Sequence, residues 1–160
     1  LSLTDVPSFS LVFRPSAYLI SLVRRFVEEF YEKVINDPNV VARLALTTHE
    51  LLENAAKYST DGSTSLYVEL DSKRNLVLVR TTNPASAQNV AALERWFAEL
   101  ASSADPSALY ADMMRRSAIL RSGSGGLGLA RIAAEGDMQL GLIVDGESVQ
   151  LVARGRILTD

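Results

Sequence analysis

Apolar and polar positions along this chain alternate between a period near two and a period near three and a half. Residues 8–13, Ser-Phe-Ser-Leu-Val-Phe, read as a strand closed by Arg14-Pro15. Leu19, Leu22, Val23, Phe26, Val27, Phe30 and Val34 then recur at spacings of three and four, which predicts an amphipathic helix over 16–34. Asn36-Asp37-Pro38 is a helix-start signal, with Asp37 as N-cap and Pro38 at the first helical position, where a missing N–H costs nothing. The helix it opens should run to Tyr58 and bury Val41, Leu44, Ala45, Thr48, Leu51, Leu52 and Ala55. Glu50, Asn54 and Lys57 fall on a different face of it.

The second half begins with two runs of strand character, 64–70 and 76–82, joined by Asp71-Ser72-Lys73-Arg74-Asn75 as a hairpin. Helical patterns follow over 88–101 and 106–118, with Asn83-Pro84 and Asp105-Pro106 as breakers. A glycine-rich turn, Gly123-Ser124-Gly125-Gly126-Leu127-Gly128-Leu129-Ala130, runs into a short helix over 126–135. Strands 139–144 and 148–153 turn at Asp145-Gly146. The order β-α-α-β-β, a helical excursion, then α-β-β predicts an α+β fold. Its expected architecture is a two-layer α/β sandwich, with a mixed, mostly antiparallel sheet covered on one face by helices. The 160 residues fit a single domain spanning 1–160.

Composition narrows the chemistry. Apolar residues make up 48% of the chain and are spread along it, which argues against disorder. No apolar run approaches the ~20 residues that span a bilayer. No secretory signal pattern opens the chain, so a cytoplasmic location without membrane association is expected. With no cysteine, disulfides, thiolate metal sites and cysteine nucleophiles are excluded. A net charge of −3 argues against a dedicated nucleic-acid binder. A single histidine, His49, gives no support to a multi-histidine metal site.

Two segments carry the candidate chemistry. In His49-Glu50-Leu51-Leu52-Glu53-Asn54-Ala55-Ala56-Lys57, Glu50 and Asn54 lie one helical turn apart on the same face. A carboxylate and an amide so placed can serve a base and a metal-bound phosphate together. The glycine turn lets backbone N–H groups approach phosphate closely, and the helix behind it offers its positive end.

In this order the residues resemble the GHKL ATPase superfamily of gyrase, heat-shock chaperones, histidine kinases and mismatch-repair ATPases, and most closely its bacterial anti-sigma-factor serine kinases. The resemblance rests on the opening strand with Arg14-Pro15-Ser16-Ala17-Tyr18 and Val23-Arg24-Arg25-Phe26-Val27. It rests also on Glu50–Ala55, which is similar to the N-box, and on Gly123–Ala130, which is similar to the second glycine box. It implies a Bergerat-type ATP-binding fold, ATP and Mg²⁺ as cofactors, and an ATPase or serine/threonine protein kinase activity. On the matched positions, Glu50 is the catalytic base, Asn54 the Mg²⁺ ligand, Lys57 a neighbour of the nucleotide, and Gly123, Gly125, Gly126 and Gly128 the phosphate cradle. The implied partner is a bacterial regulatory protein such as a sigma factor or an antagonist-type domain, and the family commonly forms a homodimer through the first strand and helix.

The chain departs from the family at the first glycine box, Asp-x-Gly-x-Gly, which reads the adenine amino group. The corresponding stretch, Val79-Arg80-Thr81-Thr82-Asn83-Pro84-Ala85-Ser86, has neither aspartate nor glycine. Thr82 or Asn83 is the substitute acceptor, and losing a carboxylate acceptor costs roughly 1.5–3 kcal/mol. An alternative is therefore a degenerate GHKL domain that acts as a protein-interaction module without kinase activity. A detached ATPase half of a histidine kinase is a third reading, without an upstream dimerisation helix to support it. His49 lies inside the N-box and reads as a surface or supporting residue, not a phosphoacceptor. Arg115, Arg116 and Arg121 read as a solvated helix face or a phosphate-reaching lid, and Leu93, Trp96, Phe97 and Leu100 as helix packing.

Overall fold

The computed structural model describes residues 7–120 and 126–157. The order of elements is β1 (Ser8–Phe13), α1 (Ala17–Tyr31), α2 (Pro38–Tyr58), β2 (Thr64–Asp71), β3 (Leu76–Pro84), α3 (Ala87–Ser102), α4 (Pro106–Leu120), α5 (Leu127–Glu135), β4 (Gln139–Asp145) and β5 (Ser148–Arg156). The five strands form one sheet in the order β1-β2-β3-β5-β4. Every pairing is antiparallel, so the mixed component expected from the sequence is absent among the described residues.

Strand parity decides which side of the sheet carries the core. In β2, Thr64, Leu66, Val68 and Leu70 are buried and the residues between them are half-exposed. In β3, Val77, Val79, Thr81 and Asn83 point to that same helix-covered face. Register carries the rows across the sheet: Leu66 pairs with Thr81 and Thr81 with Leu151, while Val68 pairs with Val79 and Val79 with Ala153. The other face carries Tyr67, Glu69, Arg80, Thr82 and Gln150, as an antiparallel sheet wetted on one side permits.

The helical layer closes this face. α1 contributes Ile20, Val23, Val27 and Tyr31 to the core. Tyr31 donates from its hydroxyl to the Pro7 carbonyl at 3.1 Å, and its burial raises the phenol pKa. α2 starts as its sequence requires, with Asp37 accepting from the Asn39 N–H at 2.8 Å and Pro38 in the first turn. All seven of its expected core positions are buried. Leu93 of α3 and Leu129 and Ile132 of α5 enter the same cluster, while Trp96, Phe97 and Leu100 pack against it. That is the packing role expected of this stripe. α4 lies on α5, outside this layer.

Several boundaries differ from the sequence reading: α1 ends at Tyr31, three residues short of the expected 34, and α4, β3 and β5 run longer. β3 continues through Pro84, which pairs with Ser148 at the strand's end, where proline's missing N–H is not needed. The Pro84 carbonyl still accepts, from Thr60 N–H at 3.0 Å. β5 runs on to Arg156 because Leu76 and Val77 remain opposite it. No helix among the described residues is long and apolar enough to cross a membrane.

Candidate functional site

The site forms where α2 and α5 cross. A cleft of about 390 Å³ lies there, lined by Glu50, Glu53, Asn54 and Lys57 from α2, by Gly126, Leu127, Gly128 and Arg131 from the α5 turn, and by Tyr110 and Ser117 from α4. Glu50 and Asn54 thus meet Gly128, more than seventy positions along the sequence, as the sequence reading requires.

α5 can lie this close to α2 because residue 128 has no side chain. A Cβ there would fall 2.5 Å from Glu50 Oε2 and 3.3 Å from Asn54 Nδ2. Gly126 is needed for two reasons. Its φ of +83° lies in the left-handed region, and a Cβ would enter the Trp96 ring. As N-cap of α5 it offers no side-chain acceptor, so among the described residues no side-chain cap takes the first-turn N–H groups beside the cleft. Gly123 and Gly125 lie outside the described residues, as does Arg121.

Glu50 and Asn54 are far more enclosed than an exposed polar face would be. Each is 7% exposed, because α5 covers the side of α2 that the first core face leaves free. Asn54 Nδ2 donates to the Glu50 main-chain carbonyl at 2.8 Å. No hydrogen bond to its Oδ1, the atom a hard cation would use, is seen among the described residues. No group of three or more His, Asp or Glu side chains suited to a metal ion occurs among the described residues, so any divalent cation here would depend on ligand oxygens.

Glu50 has a partner that the sequence reading missed. Arg131 Nη1 donates to Glu50 Oε1 at 3.0 Å, while Arg131 Nε donates to Glu135 Oε2 at 2.8 Å. The Glu135 hydrogen bond first, and then the Glu50 one, raise the Arg131 pKa and keep the guanidinium charged. Tyr110 beside them has a raised phenol pKa, chiefly from burial and then from Glu135. Arg131 carries no local sequence signal, since its partner is 81 residues away. The available clue was helical spacing, which places residue 131 on the face of Gly128 and one turn before Glu135.

Lys57 sits in the last turn of α2, exposed at the cleft, with Nζ 5.4 Å from the centre of the Tyr58 ring. His49 does not line the cleft; its Nε2 lies 3.3 Å from Glu53 Oε1. Thr82 and Asn83 are not brought to the cleft. Thr82 points to the open face of the sheet, and Asn83, 3% exposed, donates to the Pro84 carbonyl at 3.1 Å. Strand parity instead turns Thr81 towards the helices, where its buried Oγ1 has no hydrogen-bond partner. Arg116 is held by Glu99 at 2.7 Å and Asp112 at 3.0 Å, and Arg115 lies 3.7 Å from Asp112, so this pair forms an ion-paired helix face.

No family model matches the chain, and no curated protein matches it in sequence. Among solved structures it is similar to a chain of the SiaB–SiaC complex from Pseudomonas aeruginosa. The two share 17% identity, and the alignment covers 91% of this chain and 88% of that one with a TM-score of 0.66. The likeness establishes a shared fold: an α+β sandwich with an antiparallel five-stranded sheet beneath one helical layer.

Proposed function

We propose that this chain is an ATP-binding regulatory protein of bacterial signalling, of the kind represented by the anti-sigma-factor serine/threonine kinases. The observation that carries the reading is the meeting of Glu50, Asn54 and Lys57 with the glycine entry of α5 around one cleft. The α5 N–H groups with Gly126 and Gly128 would receive phosphate oxygens, and Gly123 and Gly125 would complete the cradle. Asn54 Oδ1 would ligate Mg²⁺, which supplies charge neutralisation to the phosphates when bound. Glu50 would accept the proton of a serine or threonine hydroxyl on an antagonist-type protein. The solved neighbour is a chain of a two-protein complex. On this reading the present chain likewise works by holding a regulatory protein.

A second reading has specific support. Glu50 is tied to Arg131, and neither Thr82 nor Asn83 reaches the cleft. Both fit a relative that keeps the fold as an interaction module and has lost phosphoryl transfer. Thermal melting with and without Mg-ATP separates the two. Ligand at about 100 times its Kd stabilises by about 2.7 kcal/mol, which for a chain of this size is a rise of roughly 5–10 °C. No shift at millimolar Mg-ATP refutes the nucleotide reading and leaves the interaction module.

A further inference from the structure

Arg131 stands in an unusual position for a structural ion pair. Its guanidinium bridges two carboxylates of very different exposure. The Glu50 side chain is 9% exposed beneath α5, whereas the Glu135 side chain is 48% exposed at the surface. The Arg131 side chain itself is 39% exposed and lines the cleft. Nε is anchored to Glu135 one turn along the same helix, and it is the Nη1 end that reaches into the site. The group can therefore swing about its Glu135 anchor while the helix stays in place.

We propose that Arg131 is a latch on Glu50 that a phosphate-bearing ligand releases by taking Nη1 for itself. This rests on the nucleotide reading of the cleft and adds how the ligand and the carboxylate are coupled. Guanidinium pairs with phosphate as well as with carboxylate, so the exchange conserves charge-assisted hydrogen bonds on the arginine side. The cost falls on Glu50, which at 7% exposure would lose its counter-charge. The swing therefore needs a ligand that brings two things together: an anion for Arg131 and a hydroxyl or water donor for Glu50. Phosphate without a donor leaves a buried charge unpaired, and a donor without phosphate leaves the latch closed. Glu50 is thus freed only when both requirements are met. A fixed bridge between α2 and α5 would show no such competition.

A double-mutant cycle on the full chain tests this, with Mg-ATP and Mg-ADP as probes and equilibrium binding as readout. Glu50→Gln removes the competing carboxylate and should tighten Mg-ATP binding about tenfold, the size of one charge-assisted hydrogen bond. In an Arg131→Gln background the same substitution should change binding by less than about twofold. Arg131→Gln should also abolish any preference for ATP over ADP. Equal tightening by Glu50→Gln in both backgrounds would mean simple charge repulsion and overturn the latch, while leaving nucleotide binding intact. If wild type binds only weakly, binding strengthened in Glu50→Gln and lost again with Arg131→Gln supports a closed latch. No binding in any of the four proteins overturns both the latch and the nucleotide reading. Should Arg131→Gln fail to fold, Arg131→Lys replaces it, because lysine cannot hold Glu50 and Glu135 together. The coupling must then still exceed about twofold, and a smaller value counts against the latch.

Discussion

Gly128→Ala tests the contact that creates the site, and its sign should depend on Glu50. Two effects oppose each other. Alanine is favoured over glycine in a helix by up to about 1 kcal/mol, somewhat less in the first turn where residue 128 lies. Against this, the new Cβ would stand 2.5 Å from Glu50 Oε2, which must retreat by about 1 Å to reach ordinary contact. The end of a flexible side chain would normally move at little cost. This one is 7% exposed and held by Arg131 at 3.0 Å, so it has little room. Overpacking of this kind costs about 1–3 kcal/mol, and the net expectation is a loss of about 1 kcal/mol. In a Glu50→Ala background the obstruction is gone and only Asn54 Nδ2 at 3.3 Å remains. Gly128→Ala should then stabilise, by about 0.5–1 kcal/mol. Urea unfolding of the four proteins, followed by circular dichroism and by the single tryptophan, gives each free energy by linear extrapolation. A coupling below about 0.5 kcal/mol, the range of sites that do not touch, would refute this account of how α5 sits on α2.

Two further outcomes follow from the β1–α1 edge. Tyr31 has its pKa raised above its ordinary 10.0, first by burial and then by Tyr67 and Glu69, so the folded state holds that proton more tightly than the unfolded chain does. Its contribution is complete below pH 10 and falls away as pH rises towards the folded value, so Tyr31→Phe should flatten the alkaline decline in Tm; an unchanged slope refutes the assignment. β1 lies at the sheet edge without a charge or proline in Ser8–Phe13, Val12 is 80% exposed, and Leu11 of β1 and Tyr18 and Phe26 of α1 are exposed as well. Such an edge is matched by a second copy of the same strand, so the wild type should sediment as a dimer and Val12→Lys as a monomer. A wild-type monomer at about 100 μM, a concentration well above the Kd of a specific dimer, sinks that prediction.

How much was legible depended on whether the determining interaction was local. α2 could be read almost completely, because Asp37, Pro38 and a seven-residue core face declare themselves within the segment. The enclosure of Glu50 and Asn54 could not, since periodicity reveals one packed face and the second arises only when α5 arrives from 70 residues on. Arg131 was missed for the same reason. Thr81 is a different case. The inward pattern of Val77 and Val79 already fixes Thr81 and Asn83 as inward and Thr82 as outward, so parity held the answer and motif alignment alone obscured it. Pro84 was read as a breaker, although a terminal strand residue needs only its carbonyl.

The cleft and the β3 segment differ in a way that bears on what the proposed site would recognise. Around the cleft, where the proposed reading puts phosphate, Gly126, Gly128, Lys57 and Arg131 line open volume. Thr81 and Asn83 of β3 are enclosed beneath the helices without lining the cleft, and neither carries a carboxylate. Replacing a carboxylate acceptor by a hydroxyl or amide forfeits roughly 1.5–3 kcal/mol of base recognition. One guanidinium–phosphate contact returns a similar amount. Affinity for a phosphorylated ligand can thus survive while discrimination between bases declines. On the proposed reading, selectivity would then pass to the phosphate count, sensed by Arg131 against Glu50, and to the protein presenting the hydroxyl. On the proposed reading, a base reader given up and a phosphate-sensing arginine gained would connect the Val79–Ser86 segment to the Glu50–Arg131 pair, although the two lie on different elements.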